Sequence, residues 1–219
     1  VQTGQGSSGD TDVIFLKGVN QKHQGLEIET KIQPNDMIEL DLIASFGNWK
    51  FEGDADGTYQ ENEYNDEGQV IGYQTTDYAY ALDGLYVGDM PQTAYILGVT
   101  LKPIKGLRLQ ALYKTYDKNY SDWSPDAREI EDGVADRSQV WEAPGYSKLD
   151  LHASYKLPIK GYDISLNAHV FNALDEVFVQ DAVDNSKYNG WGSKEHLAHN
   201  AEVFLGTPRY ANIGVSINF

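Results

Sequence analysis

The feature that most restricts this chain is a period of two, held in seven separate segments of about ten residues each. In a strand, alternate side chains point to opposite faces, so such a period sorts apolar residues onto one side of a sheet. Residues 25–33 place Leu26, Ile28, Thr30 and Ile32 against Glu27, Glu29 and Lys31. Residues 37–46 set Ile38, Leu40, Leu42, Ala44 and Phe46 against Glu39, Asp41 and Ser45. Residues 93–102 oppose Tyr95, Leu97, Val99 and Leu101 to Gly98, Thr100 and Lys102, and residues 107–116 oppose Leu107, Leu109, Ala111 and Tyr113 to Arg108, Gln110 and Lys114. The cleanest segment is 147–157, where Leu149, Leu151, Ala153, Tyr155 and Leu157 alternate with Lys148, Asp150, His152, Ser154 and Lys156. In 162–171, Tyr162, Ile164, Leu166, Ala168 and Val170 face away from Asp163, Ser165, Asn167 and His169. The last, 211–219, carries Ala211, Ile213, Val215, Ile217 and Phe219 against Asn212, Gly214, Ser216 and Asn218. Helical periodicity is nearly absent, so the expected class is all-β and antiparallel.

The segment length is itself informative. Globular strands usually run to about five or six residues, whereas a tilted strand needs about 9–11 to cross a bilayer. The connections alternate as well. Three are short and carry Pro or Gly: Pro34–Asp36, Pro103–Gly106 and Pro158–Gly161, the last two with the same Pro-Ile-Lys-Gly sequence. The others are long and polar, about 47–92, 117–146 and 172–208. Short turns on one side and long loops on the other are the pattern of a transmembrane β-barrel. A soluble β-sandwich also alternates, but its strands fall at a steadier spacing. Trp49, Phe51, Tyr116 and Tyr120 lie near the loop ends of their strands, where an interfacial aromatic girdle is expected.

Composition agrees with this once its averaging is undone. The formal charge is −16 and the mean hydropathy is −0.50. Polar loops and one polar strand face dilute an apolar face that is otherwise continuous. The charge argues against nucleic acid as a partner, which needs clustered Lys and Arg. Without Cys, disulfides and thiolate metal sites are excluded. Single-chain bacterial barrels use an even number of strands, and seven is odd. If the last strand ends on the periplasmic side, all three short turns are periplasmic and residues 1–24 form the tail of an extracellular loop, with barrel strands and long loops filling 25–219. The chain then reads as a piece of a larger barrel. Val13–Gly18, "VIFLKG", is the one segment that could supply an eighth strand.

Several stretches, in order, resemble one family. "LKGVNQKHQGLEIETKIQP" begins a strand as that family does, with Gly-x-Glu ahead of the apolar run. "IASFGNWKF" is similar to the following strand as it leaves the membrane, and "DGLYVGDMPQTAYILGVTLKPIKGLRL" to the loop that returns. "APGYSKLDLHASYKL" and "SLNAHVFNALDEVF" resemble the strand pair before the end, and "GTPRYANIGVSINF" the closing strand with its terminal Phe. Together they resemble the C-terminal barrel of TonB-dependent outer-membrane receptors, in particular those of Bacteroidetes. The resemblance implies a barrel of about twenty-two strands with a plugged lumen, of which these are the last third. It implies location in the outer membrane of a Gram-negative bacterium, with lipid, the rest of the barrel, its plug and TonB as partners, and in the glycan-importing branch a lid lipoprotein. The activity implied is import of a scarce nutrient (siderophore, vitamin, oligosaccharide or peptide), not catalysis. Asp150, His152, Asp163 and His169 are then expected to face the lumen.

The loops carry the remaining chemistry. Residues 54–89 hold nine Asp and Glu with no Lys or Arg, and "DADG" at 54–57 matches part of a calcium loop; Asp54 and Asp56 are the candidate ligands, and calcium the candidate cofactor. Tyr78 and Tyr80 in that stretch, with Trp123, Trp141 and Trp191 in the later loops, are candidate contacts for a ligand. His196 and His199, beside Glu195, could share a metal if their segment were helical. Two other readings stay open: an acidic calcium-binding adhesion or lectin-like β-domain, and a barrel enzyme such as a protease or lipase. The second lacks a Gly-x-Ser-x-Gly elbow or any carboxylate pair in a frame that sets its spacing.

Overall fold

A computed structural model describes residues 2–5, 11–185 and 195–218. In chain order the strands are β1 (Gln2–Gln5), β2 (Thr11–Lys17), β3 (Gln21–Asn35), β4 (Ile38–Phe51), β5 (Ala55–Tyr64), β6 (Val70–Tyr80), β7 (Thr93–Leu101), β8 (Leu107–Asp117), β9 (Asn119–Tyr120), β10 (Glu142–Ala143), β11 (Tyr146–Lys156), β12 (Asp163–Phe171), β13 (Val179–Val183), β14 (Glu202–Leu205) and β15 (Tyr210–Asn218). One helical turn, α1 (Pro125–Arg128), lies between β9 and β10. No helix among the described residues is long and apolar enough to cross a membrane, which leaves crossing by strands open.

The seven alternating segments form one sheet in the order β3-β4-β7-β8-β11-β12-β15, every neighbour antiparallel. This is an open section of barrel wall. Its register keeps like with like. Leu42 lies opposite Leu97, Leu97 opposite Tyr113, Tyr113 opposite Leu149; further along, Leu166 lies opposite Val215. On the other face Glu39 meets Thr100, Thr100 meets Gln110, Gln110 meets His152, His152 meets His169, and His169 meets Asn212. A slip of one residue at any pairing would swap the faces. The apolar face is left uncovered: Ile213 is 85% exposed and Leu26 58%.

All three short turns sit at one edge. The two Pro-Ile-Lys-Gly copies do the same work: Gly106 and Gly161 take φ of +89° and +85°, a region open to glycine. At the first turn the Asn35 side chain accepts the Met37 N–H at 2.9 Å. Two strands of this wall outrun the expected segments: β3 has 15 residues and β4 has 14. At their loop ends Lys22 pairs with Lys50 and Gln24 with Asn48, while Gln21 faces Phe51 and His23 faces Trp49, so the apolar period does not continue there.

The opposite edge carries a second, smaller structure built from the long loops. The β1-β2-β5-β6 sheet, the β9/β10 and β13/β14 pairs and α1 all belong to it. The "VIFLKG" segment does form a strand, but β2 pairs with β5 and β1, not with the wall; the turn at Gly18, with φ +75°, separates it from β3. This cap has its own core. Phe51, Tyr80, Leu82, Leu85, Tyr120 and Val140 are buried together, with Trp49, Tyr78, Tyr86 and Trp123 packed around them.

The girdle assignment needs correction on the same ground. Trp49 and Phe51 on β4, and Tyr116 on β8, fall on the polar side of the pleat, and Phe51 and Tyr120 are buried in or beside the cap. The aromatics on the apolar face are Phe46, Tyr95 and Tyr113 toward the loop end and Tyr155 and Tyr162 toward the turn end. Phe46 and Tyr95 make an edge-to-face pair at 5.5 Å. The cap and wall are expected to separate energetically. Leu82→Ala should destabilise the cap by about 2–5 kcal/mol, seen as faster protease nicking between residues 52 and 92 while the wall strands stay protected.

Candidate functional site

The polar wall and the cap above it form one continuous surface. Starting at the turn end, the Glu39 carboxylate, on β4, is bonded by Lys102, with Arg108 at 3.4 Å and Lys31 at 3.8 Å. Arg108 also donates to Thr100 at 3.2 Å. Midway up, His152 and His169 touch across the β11/β12 ladder, their Nδ1 atoms 2.8 Å apart. Above them Lys114 donates to Asp150 at 2.8 Å, and Asp150 accepts the Asn172 N–H at 2.9 Å. Asp163 lies on this face too, low down, paired with Lys156 at 2.7 Å. All four residues expected at the lumen therefore share the face opposite the bare apolar one.

Two buried amides fasten the loops to this wall. Gln92 accepts the Trp49 N–H at 2.8 Å and donates to the Trp49 and Val87 carbonyls, at 3.0 and 3.2 Å. It stands in for a strand where β4 leaves the sheet. Asn172, held at φ +49°, donates to the Glu176 and Thr207 carbonyls and accepts the Glu176 N–H. A buried backbone group without a partner costs about 1–3 kcal/mol, which is the strength these two side chains restore.

The cap is closed by ion pairs. Arg128 is fully buried; it donates to the Asp136 and Ser138 carbonyls, at 3.2 and 2.7 Å, and to the Asp184 carboxylate at 3.3 Å. His196 lies between Asp184, which it bonds through Nδ1, and Asp136, 3.1 Å from Nε2. Asn185 and Arg128 also approach its Nδ1, each at 3.1 Å. Two cations and two carboxylates balance here only while His196 is protonated. Burial alone would lower the His196 pKa, but the bonds to Asp184 and Asp136 raise it above 6.5. Nearby, burial and then the charges of Asp89 and Asp181 push Asp122 up to about 7.

The loop candidates fare differently from the wall candidates. Both Asp54 oxygens are taken by Arg137, at 2.8 and 2.7 Å, and Leu82 and Asp83 donate backbone N–H groups to one of them. The Arg137 hydrogen bond holds its carboxyl at about 2. A calcium ion at Asp54 would have to displace a guanidinium of the same chain, and Asp56 is an exposed residue within the β2/β5 ladder. Tyr80 is buried, Tyr78 packs on the same core, and Trp123 lies 5.8 Å from Tyr80 and 6.4 Å from Phe51, so these rings serve as cap core, not as an open contact surface. Trp141 is half-buried, its carbonyl accepting Ser121; Trp191 lies outside the described residues. The His196–His199 pair does not form a metal site. The segment is a turn, not a helix, and His196 is buried while His199 is exposed beside Glu195. Among the described residues no three His, Asp or Glu side chains are placed to hold a metal. Sequence reasoning missed Arg128, Asp136, Asp184, Gln92, Asn172 and Glu39. Only Glu39 sat in a readable pattern; the others stand in loops that lack a period.

The charge balance gives a pH dependence with a definite sign. A group whose pKa is raised on folding contributes stability that is present below its unfolded value and is lost as pH rises through the folded value. For His196 that window opens at 6.5 and extends upward; for Asp122 it opens at 3.8 and closes near 7, in the same direction. Protease nicking within residues 172–208 should therefore quicken between about pH 6 and pH 8. His196→Gln should remove most of that change and Asp122→Asn only its part below about pH 7; a flat profile in the parent protein would refute the pairing of His196 with Asp184 and Asp136.

A family model described as "TonB dependent receptor-like, beta-barrel" matches residues 2–173. No curated protein matches. Among solved structures the chain is similar to the ferric-catecholate import receptor Fiu of Escherichia coli K12 in its closed form. Identity there is 17% and the TM-score 0.38, over all of this chain and 30% of that one. The chain thus spans about a third of the receptor's length, 30%. On the family match over most of its residues, this chain belongs to the TonB-dependent receptor-like β-barrel family.

Proposed function

We propose that this chain is part of the wall and extracellular cap of an outer-membrane transporter that imports a scarce nutrient in a TonB-dependent manner. The observation that carries the reading is the division of the seven-stranded sheet into a bare apolar face and a charged, hydrogen-bonded one. In water, the apolar face would be a large uncovered patch; monomeric soluble proteins rarely expose more than a few hundred Å². Against lipid it needs no cover. Backbone groups in hydrocarbon must all be paired, and β3 and β15 each leave an edge open. With seven strands these edges run in the same direction, so they cannot close antiparallel on each other. Further strands of the same barrel are the partners that fit.

The polar face is then the lumen, with Asp150, His152, Asp163 and His169 on it. Its ion pairs leave mixed charge, suited to holding a plug domain and to releasing it when TonB pulls. The cap, with a core of its own, presents the extracellular surface that first meets the nutrient. Siderophore, vitamin, oligosaccharide and peptide are the cargo classes in view, and a lid lipoprotein over the cap is a partner of the glycan-importing kind. No catalytic step is assigned.

Facing is the testable core of this reading. Leu151→Arg, in mid-wall on the apolar face, should cost about 2–4 kcal/mol at the bilayer midplane and deplete the folded, heat-modifiable protein from the outer-membrane fraction. Ser154→Arg, on the polar face, should assemble normally. Recovery of the parent protein from cells without detergent, or equal assembly of the two variants, would sink the transporter reading. For transport itself, strains lacking this protein or lacking TonB should lose growth on the same limiting nutrient.

A further inference from the structure

His152 and His169 stand directly opposite each other on β11 and β12, at mid-height on the polar face. Their Nδ1 atoms are 2.8 Å apart, with ring centroids 5.0 Å apart and the planes tilted by 60°. A neutral imidazole nitrogen carries either a proton or a lone pair. At this distance two lone pairs repel, so something electron-poor must lie between them: one shared proton or a cation. A carboxylate or carbonyl on the far ring nitrogen would set the tautomer, but neither ring makes another hydrogen bond among the described residues. The rings are nevertheless held in place. Phe171 packs on both, at 5.4 and 6.1 Å, and is itself stacked on Tyr210 at 4.7 Å.

The space beside the pair is open, and its lining mixes polar side chains with Ala153 and Phe171. A cavity of about 640 Å³ is lined by Arg108, Gln110, Ser154 and Asn212 together with the two histidines and Phe171. The one cation there, Arg108, is engaged by Glu39 and Thr100. Two Zn–N bonds of about 2.0–2.1 Å at a tetrahedral angle hold their nitrogens about 3.3 Å apart. The observed separation needs to widen by only about half an ångström, within ordinary side-chain torsional freedom. Calcium and magnesium want oxygen ligands, and no carboxylate joins the pair. Imidazole donors suit zinc, copper and nickel.

We propose that His152 and His169 form a bidentate, open-sided site for a divalent transition-metal ion, Zn²⁺ or Cu²⁺, whose remaining positions face this cavity. Water fills them, or a donor atom on whatever occupies that space. The site rests on side-chain geometry alone and stands or falls apart from the transport reading.

The test uses the intact protein, purified in detergent and stripped of metal with a chelator. Equilibrium dialysis against Zn²⁺ should show a bound equivalent that His152→Ala/His169→Ala lacks, and each single variant should weaken it on the order of tenfold or more. Ser165→Ala, on the same face but outside the cavity lining, should retain it. Cu²⁺ added to the parent protein should give a paramagnetic resonance spectrum with two coordinated imidazole nitrogens. This second measurement stands even if the double variant does not fold. Equal zinc uptake by parent and double variant, or a copper spectrum without two imidazole nitrogens, overturns the proposal.

Discussion

Everything in this structure depends on the register of the seven-stranded sheet. A strand offers only two faces, and antiparallel pairing carries the choice of face from one strand to the next. From β3 to β15 the choice is never reversed: Leu42, Leu97, Tyr113, Leu149 and Leu151 lie on one side, and Glu39, Thr100, Gln110, His152 and His169 on the other. The apolar side is left bare, with Ile213 and Leu26 exposed. The polar side can hold charges in pairs: Asp150 meets Lys114 of the neighbouring β8, and Glu39 meets Lys102 at the end of β7 and Arg108 of β8.

The long loops solve a different problem. They carry most of the acidic residues, so they cannot collapse on apolar area alone. A small core forms where β4 runs out of the sheet, around Phe51, Leu82 and Leu85. Beyond it, order comes from side chains that replace missing backbone partners, as Gln92 and Asn172 do, and from charges set against charges, as in Asp54 with Arg137 and Asp184 with Arg128. Such contacts hold loops from distant parts of the chain together, since Arg137 and Asp54 are 83 residues apart. They also tie the cap to solution conditions, because burial and neighbouring charge shift their protonation.

The two levels differ in how they were legible. The wall could be read because alternation is local and nearly unbroken; the segments around Leu151 and Ile164 lie within a residue or two of β11 and β12. The same alternation named Asp150, His152, Asp163 and His169 as one face. Reading failed where residues had no period. Tyr80 and Trp123 looked like exposed contacts because the loops around them are polar, yet they are the few apolar groups such loops can bury. Trp49 and Phe51 looked like a girdle because they sit at strand ends, although parity already placed them on the polar side.

The sequence by itself determined the number of wall strands, their faces and the edge at which they turn, because a period of two and a Pro or Gly turn are properties of neighbouring residues. Only the tertiary structure decided which carboxylate meets which cation, that His196 is clamped between Asp136 and Asp184, and that Arg128 is buried. Those pairings join residues far apart in the chain. Their stability arises from burial, and burial exists only once the loops have folded over one another.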